Sequence, residues 1–471
     1  MLYSFFRTAL RNLVKRKWFT LLNVVGLSVS LTACGLIFLY MQDELSYDRF
    51  FPDPDNLYRV GLSFTIGEED YDWPESSALL AREMQDNFPG VASVTTVFPP
   101  YTYAFRRDEQ VRGGFEVIRA DTNFFAFFGY SLRHGNPNTA LKESHALVLT
   151  ESMARQYAGT QPLSELLGAL LINDGVTYQV TGIMADPPHP THLPFDGVIS
   201  IATLWKEHDY FMNTWQPNGV ATYVRLREAT DPADLQPAFA DVERRYLWPQ
   251  MAAKNLGVVE ERLHVGGERY GYYLEPVADI HLVRDGYLLY VRLFAVVGLF
   301  ILLIACTNFV NLATAQATER RPEVGIRKVL GSSRRSLAGQ FLTEAMMTTA
   351  AATLLALLLV GLCLPAFNQL TDKQLILLLG SPALWVVSIG TIGVVGLLAG
   401  AYPAWVITAV SPIRALKGKF SRGRSGVSVR DFLIVGQFVV TTVLIIGTAL
   451  VYRQSEYSGS LIRGLTKKTC C

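Results

Sequence analysis

No cysteine stands between Gln42 and Ala305, so the long polar middle of this 471-residue chain has no disulfide framework. Such a region must hold itself together by a core of its own, as a bacterial periplasmic domain of sufficient size does. The five cysteines are Cys34, Cys306, Cys363, Cys470 and Cys471; the first three lie in apolar runs, where cysteine acts as a small hydrophobe. The chain lacks a G-x-x-x-x-G-K-[ST] phosphate loop. Gly418-Lys419 and the Gly423 to Gly426 region are basic and glycine-bearing but wrongly spaced. If ATP drives this protein, a separate subunit binds it. G-x-S-x-G is also missing, which leaves a serine hydrolase unsupported. There is no charge excess either: 42 Lys and Arg against 41 Asp and Glu give a net charge of +1, which argues neither for nor against nucleic acid.

What the chain has is apolar length. Half of its residues are apolar, and five runs reach the ~20 residues that a helix needs to cross a bilayer. They are residues 18–41, 290–313, 341–364, 384–408 and 432–452. Gly26, Ser28, Ser30 and Gly35 recur in the first run, which suits close helix packing in lipid. No A-x-A site follows that run before Gln42, so it reads as an uncleaved anchor rather than a signal peptide. Orientation follows from the cations. Arg7, Arg11, Lys15, Arg16 and Lys17 precede the first run. Arg320, Arg321, Arg327, Lys328, Arg334 and Arg335 lie between the second and third, and the loop 409–431 carries six more. The connection between the third and fourth has only Lys373, beside Asp372. The N-terminus and both basic loops are therefore expected in the cytoplasm of a bacterial inner membrane, with residues 42–289 outside. Within residues 1–17, Leu2, Phe5, Phe6, Ala9, Leu10 and Leu13 recur at helical spacing with Arg7, Arg11 and Lys15 between them, the pattern of a helix lying in the interface.

The region 42–289 mixes strand-like stretches (57–64, 93–97, 145–149, 176–183, 221–226) with helix-like ones (76–87, 151–157, 232–246). Thr150-Glu151-Ser152 is placed to cap one helix. The expected fold class is a multi-pass α-helical membrane protein with a large α+β extracytoplasmic domain, in two lobes, between the first and second transmembrane helices. All seven histidines lie in that domain. His189 and His192 stand three apart in a Pro-rich loop, more simply a packed loop than a metal pair. Asp279 and His281 fit a strand-end contact better than an acid–base pair. Phe124, Phe125, Phe127 and Phe128 read as core rather than as a ligand box. No catalytic, cofactor-binding or metal-binding set emerges.

At this point the residues carry a resemblance. Leu10-Arg11-Asn12-Leu13, the run Gln42-Asp43-Glu44-Leu45-Ser46-Tyr47-Asp48-Arg49-Phe50, Leu147 to Ser152, Val180 to Ile183, Asn308 to Ala315, Tyr402-Pro403-Ala404 and Pro412 to Gly418 all contribute. The most specific stretch is Glu319 to Gly331, which reads ERRPEVGIRKVLG. The chain resembles the MacB/FtsX-like family of ABC transporter permeases, in a long form that appears with its second half begun and not completed. The resemblance implies a four-span core, a periplasmic domain of two α/β lobes, and a cytoplasmic ABC ATPase subunit as partner. It also implies a second permease copy or half, and a periplasmic or outer-membrane partner, with no nucleic acid. It implies no cofactor of the chain's own, ATP being bound by the partner subunit. The loop 314–340 becomes a coupling element, with Glu319, Arg320, Glu323, Arg327 and Lys328 as its ATPase-contacting residues. The positive-inside rule accounts for the cations of that loop but not for its acids. The function implied is mechanotransmission, exporting a peptide, lipid, lipoprotein or drug from the periplasmic side; the alternative is FtsX-like control of a cell-wall hydrolase. The fifth run, led by Arg430-Asp431-Phe432, resembles the start of a second half, and the ending Lys467-Lys468-Thr469-Cys470-Cys471 fits a truncated or frameshifted gene better than a lipid anchor.

The polar region should fold alone. Residues 43–284 expressed without the apolar runs are expected to be soluble and monodisperse without detergent; aggregation of that fragment on a sizing column would place the boundaries wrongly.

Overall fold

The computed structural model describes residues 2–66, 69–188, 190–207, 210, 213–216, 219–253 and 270–409, and with gaps the apolar stretch Ile434–Gly447. Residues 410–433 and, apart from residue 453, the tail lie outside the described residues, and the expected fifth span is described only in part. In chain order the helices are α1 (Leu2–Lys15), α2 (Lys17–Glu44), α3 (Ala78–Asn87), α4 (Phe124–Phe128), α5 (Glu151–Ala158), α6 (Ala202–Glu207), α7 (Gln236–Val242) and α8 (Trp248–Ala253). Then come α9 (Tyr287–Glu319), α10 (Arg321–Val329), α11 (Arg334–Thr371) and α12 (Pro382–Ala409). The chain divides into two compact bodies, residues 44–288 and the remainder.

In the helical body, four helices among the described residues are long and apolar enough to cross a membrane: α2, α11, and the segments Tyr287–Gln316 of α9 and Pro382–Trp405 of α12. They run past the apolar stretches that announce them, because polar residues such as Gln316 and Arg334 extend a helix without adding hydropathy. Packing between helices in lipid relies on small residues that let backbones approach. On α12, a Cβ added at Gly400 would lie 2.7 Å from Ala345 Cβ, and one at Gly396 would lie 3.1 Å from Met346 Cγ, so α11 and α12 meet where side chains are smallest. Thr348, Thr349 and Thr353 on α11 are buried, and each satisfies its hydroxyl on the carbonyl four residues earlier. Lys373 pairs with Asp43 at 2.8 Å rather than with its neighbour Asp372, which instead ends α11 in the left-handed conformation.

The other body is built on one mixed sheet. Its strands are β1 (Leu57–Ile66), β2 (Glu69–Trp73), β3 (Val91–Arg107), β4 (Gln110–Ala120), β5 (Leu132–His134) and β6 (Ala146–Thr150). They continue with β7 (Leu170–Asn173), β8 (Val176–Met184), β9 (Gly197–Ser200), β10 (Ala221–Leu226) and β11 (Tyr270–Pro276). The spatial order is β11-β1-β10-β3-β4-β9-β6-β8-β5, with β2 beside β1 and β7 beside β3 and β8. The two expected lobes therefore share a continuous sheet, and they separate by core. One core gathers Val60, Leu80, Met84, Phe239 and Tyr272; another gathers Phe105, Leu147, Met153, Tyr178 and Ile199; the four phenylalanines of α4 fill a third.

The sheet's long hairpin, β3–β4, was under-read in sequence as a short strand. Its first half is buried on both faces, while from Tyr101 onward burial alternates, with Tyr103 and Phe105 inward and Tyr101 exposed. A two-residue loop closes it, and Asp108 takes the positive φ that such a turn requires. Thr150 caps α5, its hydroxyl accepting from Met153 N at 3.3 Å.

Glu243 is a buried carboxyl of this body that pairs with no histidine among the described residues. It accepts a hydrogen bond from Tyr272 N at 2.7 Å, yet desolvation outweighs that bond and pushes its pKa up from 4.5 to about 7. The folded state therefore holds a proton that the unfolded chain has already lost between about pH 4.5 and 7, and this group's contribution to stability falls as pH rises through that window. Glu243→Gln should stabilise the domain at pH 8 and lose that advantage at pH 5. Thermal unfolding of the two forms at both pH values checks this; an equal difference at both would refute it.

Candidate functional site

The residues that the sequence nominated for coupling gather around α10. Pro322 stands in its first turn, where a missing N–H costs nothing, with Glu323 beside it; Arg327 and Lys328 fill the last turn, so both ends complement the helix dipole. Its end is a Schellman closure. Ser332 N donates to Arg327 O at 3.0 Å and Gly331 N to Lys328 O at 3.1 Å, with Gly331 at φ +92°. That left-handed turn accounts for the glycine of the Val329-Leu330-Gly331 stretch. Ser333 then caps α11 by accepting from Ser336 N at 3.2 Å.

Side chains fasten α10 to α11 and α12, and through Glu344 of α11 the same network reaches α1. Arg320, just before it, is buried and donates from Nη1 to Glu344 Oε2 of α11 at 2.5 Å. The other oxygen of Glu344 accepts from Asn12 Nδ2 of α1 at 2.6 Å. Arg327 bridges Gln340 of α11 and Glu323 of its own helix, both at 2.7 Å. Lys328 donates to Thr408 O, near the end of α12, at 2.7 Å; desolvation, then the Arg334 cation, lower its pKa. Val324 packs on Leu337 and Phe341. The opposite side of α10 is uncovered: Ile326, Val329 and Leu330 are 53%, 65% and 79% exposed. These three recur at helical spacing and form one apolar face.

Four of the five nominated residues thus belong to one cluster, and the side chain of Glu319 lies outside the described residues. Sequence reading missed the hub. Glu344 sits inside the third apolar run, and its signal was available: it is the one acid in that run, and a buried carboxylate in a membrane segment needs a named partner. A cavity of about 60 Å³, lined by Asn12, Asn23, Arg320 and Glu344 among others, lies against the pair. Asn311 Oδ1 on α9 is buried without a hydrogen-bond partner among the described residues, whereas Asn308 packs over Gly26 of α2.

The extracytoplasmic body holds two buried histidine–carboxylate pairs, both involving the Gln42 to Phe50 stretch. His192 Nδ1 meets Asp48 Oδ2 at 2.8 Å and its Nε2 meets Tyr223 OH at 2.9 Å. Asp48 also accepts from Thr191 Oγ1 and His192 N, so its lone pairs are taken. Burial pushes the Tyr223 hydroxyl up to about 12. The set resembles a catalytic relay but is sealed from solvent and fixes the loop that bears it. His189 lies outside the described residues. His281 pairs with Glu44, not with Asp279, and is stacked between Tyr47 and Tyr287 at centroid distances of 3.4 and 4.2 Å. Glu44 ends α2 and Tyr287 begins α9, so the pair ties the two chain segments that enter and leave this body.

Two family models match the chain: the MacB-like periplasmic core domain over residues 20–242 and the FtsX-like permease C-terminal over residues 295–412. Among curated relatives, the macrolide export ATP-binding/permease protein MacB of Agrobacterium fabrum is 23% identical over 337 residues, covering 70% of this chain and 47% of that protein. The protein of the same name from Bdellovibrio bacteriovorus is 22% identical over 316 residues, covering 65% and 43%. The chain spans about half the length of the curated relatives it matches. Among solved structures, a domain of a putative permease from Porphyromonas gingivalis aligns at 24% identity with a TM-score of 0.40, over 48% of this chain and 91% of that one. The periplasmic region of MacB from Actinobacillus actinomycetemcomitans aligns at 11% identity with a TM-score of 0.31, over 50% and 95%.

Removing the hub strands a buried guanidinium. Glu344→Ala should destabilise the helical body by about 3–5 kcal/mol, and replacing both partners by apolar residues, Arg320→Met with Glu344→Leu, should recover most of it. Thermal unfolding in detergent reads this; a double variant as unstable as the single one would contradict it.

Proposed function

Because the chain belongs to the MacB/FtsX-like family of ABC transporter permeases, we propose that it is a permease subunit that couples ATP hydrolysis by a separate cytoplasmic ATPase to movement of its extracytoplasmic domain. It hydrolyses no ATP and needs no cofactor of its own. The observation that carries this reading is α10: a short helix capped at its end, fastened from behind through Arg320–Glu344, Arg327–Gln340 and Lys328–Thr408, and apolar on its free face. A helix so held passes a displacement to α1, α11 and α12 instead of absorbing it. Ile326, Val329 and Leu330 are the residues that would enter a groove on the ATPase, with Glu323 at the rim. On the other side of the membrane, Glu44–His281 ties the segment leaving α2 to the segment entering α9, which suits a domain driven through both connections together.

The reading places α10 in the cytoplasm and residues 44–288 in the periplasm. The working assembly contains two permease copies or halves. The cargo is a peptide, lipid, lipoprotein or drug taken from the periplasmic side, in keeping with the macrolide export named for the relatives.

Charge reversal at Glu323, which is half exposed, should weaken stimulation of the partner ATPase by roughly tenfold, inside the ~5- to 150-fold range of ordinary coupling energies, without unfolding the chain. Arg327→Glu should do the same and also lose the Gln340 bond. Unchanged stimulation and unchanged co-purification of the ATPase would remove the coupling role.

A further inference from the structure

Helix α1 carries three distinct stripes. One is packed: Ala9 is fully buried, and Asn12 is bonded to Glu344. The second is cationic, with Arg7, Arg11 and Lys15 at four-residue spacing, all exposed. The third is apolar and uncovered, at the same spacing: Phe6, Leu10 and Val14 are 52%, 49% and 69% exposed, and Trp18, at the start of α2, follows at 76%. This third stripe does not stop at the helix end. Leu22, Val25 and Val29 of α2 continue it as exposed apolar surface, and α2 is a membrane-spanning helix. Its occupant is therefore the same lipid that covers α2, and Trp18 sits where an interfacial aromatic belongs.

At the break between α1 and α2 the cations converge. A recess of about 420 Å³ is lined by Lys15 to Phe19 and, from α9, by Ala315 and Gln316. Three consecutive cations border it, and among the described residues no acidic one does. Lys17 Nζ also lies 5.9 Å from the ring centre of Trp18. A basic recess between membrane helices, opening beside an apolar stripe, matches an anionic phospholipid: phosphate among the cations, acyl chains along the stripe.

We propose that the junction of α1 and α2 is a binding site for the phosphate-bearing headgroup of an anionic phospholipid, formed by Lys15, Arg16 and Lys17 with Trp18 at its lipid edge. The cytoplasmic leaflet as its source rests on the orientation proposed above; the site does not. Because Asn12 of the same helix holds Glu344, a lipid bound here also bears on the hub behind α10.

The full chain in neutral detergent micelles, titrated with dansyl-labelled phosphatidylglycerol and phosphatidylcholine, tests the site without regard to orientation or to any ATPase. Phosphatidylglycerol should bind at least about tenfold more tightly, since each cation near the headgroup is worth roughly fivefold. The triple variant Lys15→Gln, Arg16→Gln, Lys17→Gln should lose on the order of 100-fold, and Arg334→Gln with Arg335→Gln, which removes cations elsewhere, should change little. If the triple variant fails to fold, Lys17→Gln alone should lose roughly fivefold, and binding by the unaltered chain should fall steeply with salt. Equal affinity for the two lipids, or an equal loss in the Arg334/Arg335 variant, would overturn the proposal. Displacement of the lipid by millimolar inorganic phosphate at matched ionic strength would also overturn it, by assigning the site to free phosphate.

Discussion

Hydrocarbon offers no hydrogen bond to a stray polar group, and every feature of the helical body answers to that. The spanning helices are apolar on their outer surfaces, with threonines closed onto their own backbones and glycines where helices touch. Against that background a carboxylate on α11 stands out. Glu344 is tolerable only because both of its oxygens are taken, one by Arg320 and one by Asn12. The satisfaction of one charge thus draws together the amphipathic helix, the end of α9 and the base of α10. The placement of α10 follows from the need to keep that carboxylate paired.

The extracytoplasmic body solves a different problem. It is large enough to bury three apolar clusters on one sheet, and it uses its buried histidines as fasteners. Asp48–His192 holds a loop to the core beside Tyr223, and Glu44–His281 holds the two ends of the body together. Both carboxylates come from one short stretch of sequence, which gives the Gln42 to Phe50 run a physical role: it anchors the domain where the chain enters it.

Much of this was legible in the sequence where a local signal existed. Long apolar runs announced the spanning helices, β-branched alternation announced β1, β8 and β10, and Thr150 announced the cap of α5. The rest is tertiary. Strands β2, β9 and β11 are short or rich in polar residues and gain their identity only from neighbours in the sheet. The outer half of β3–β4 alternates aromatics with arginines, which reads as an indifferent surface until α5 and Tyr178 are placed against it. Glu44 and His281 were each noticed, but a bond spanning 237 residues is not visible in either neighbourhood. Glu344 was passed over because a run is scored by its mean hydropathy, which a single acid barely lowers. The five residues nominated for coupling were chosen by motif; four of them lie in one hydrogen-bonded cluster around α10, and the side chain of Glu319 is not among the described residues.

The proposed function requires α10 and the sheet domain to lie on opposite sides of the membrane, one receiving force and the other moving. Two exposed positions test it: Leu330, after α10, and Leu170, on β7. Each is replaced by cysteine in a chain whose native cysteines are serine, and intact bacterial cells with a permeable outer membrane are treated with a membrane-impermeant maleimide. The account predicts that position 170 is labelled in intact cells and position 330 only after the inner membrane is opened. Labelling of both positions under the same condition would contradict it.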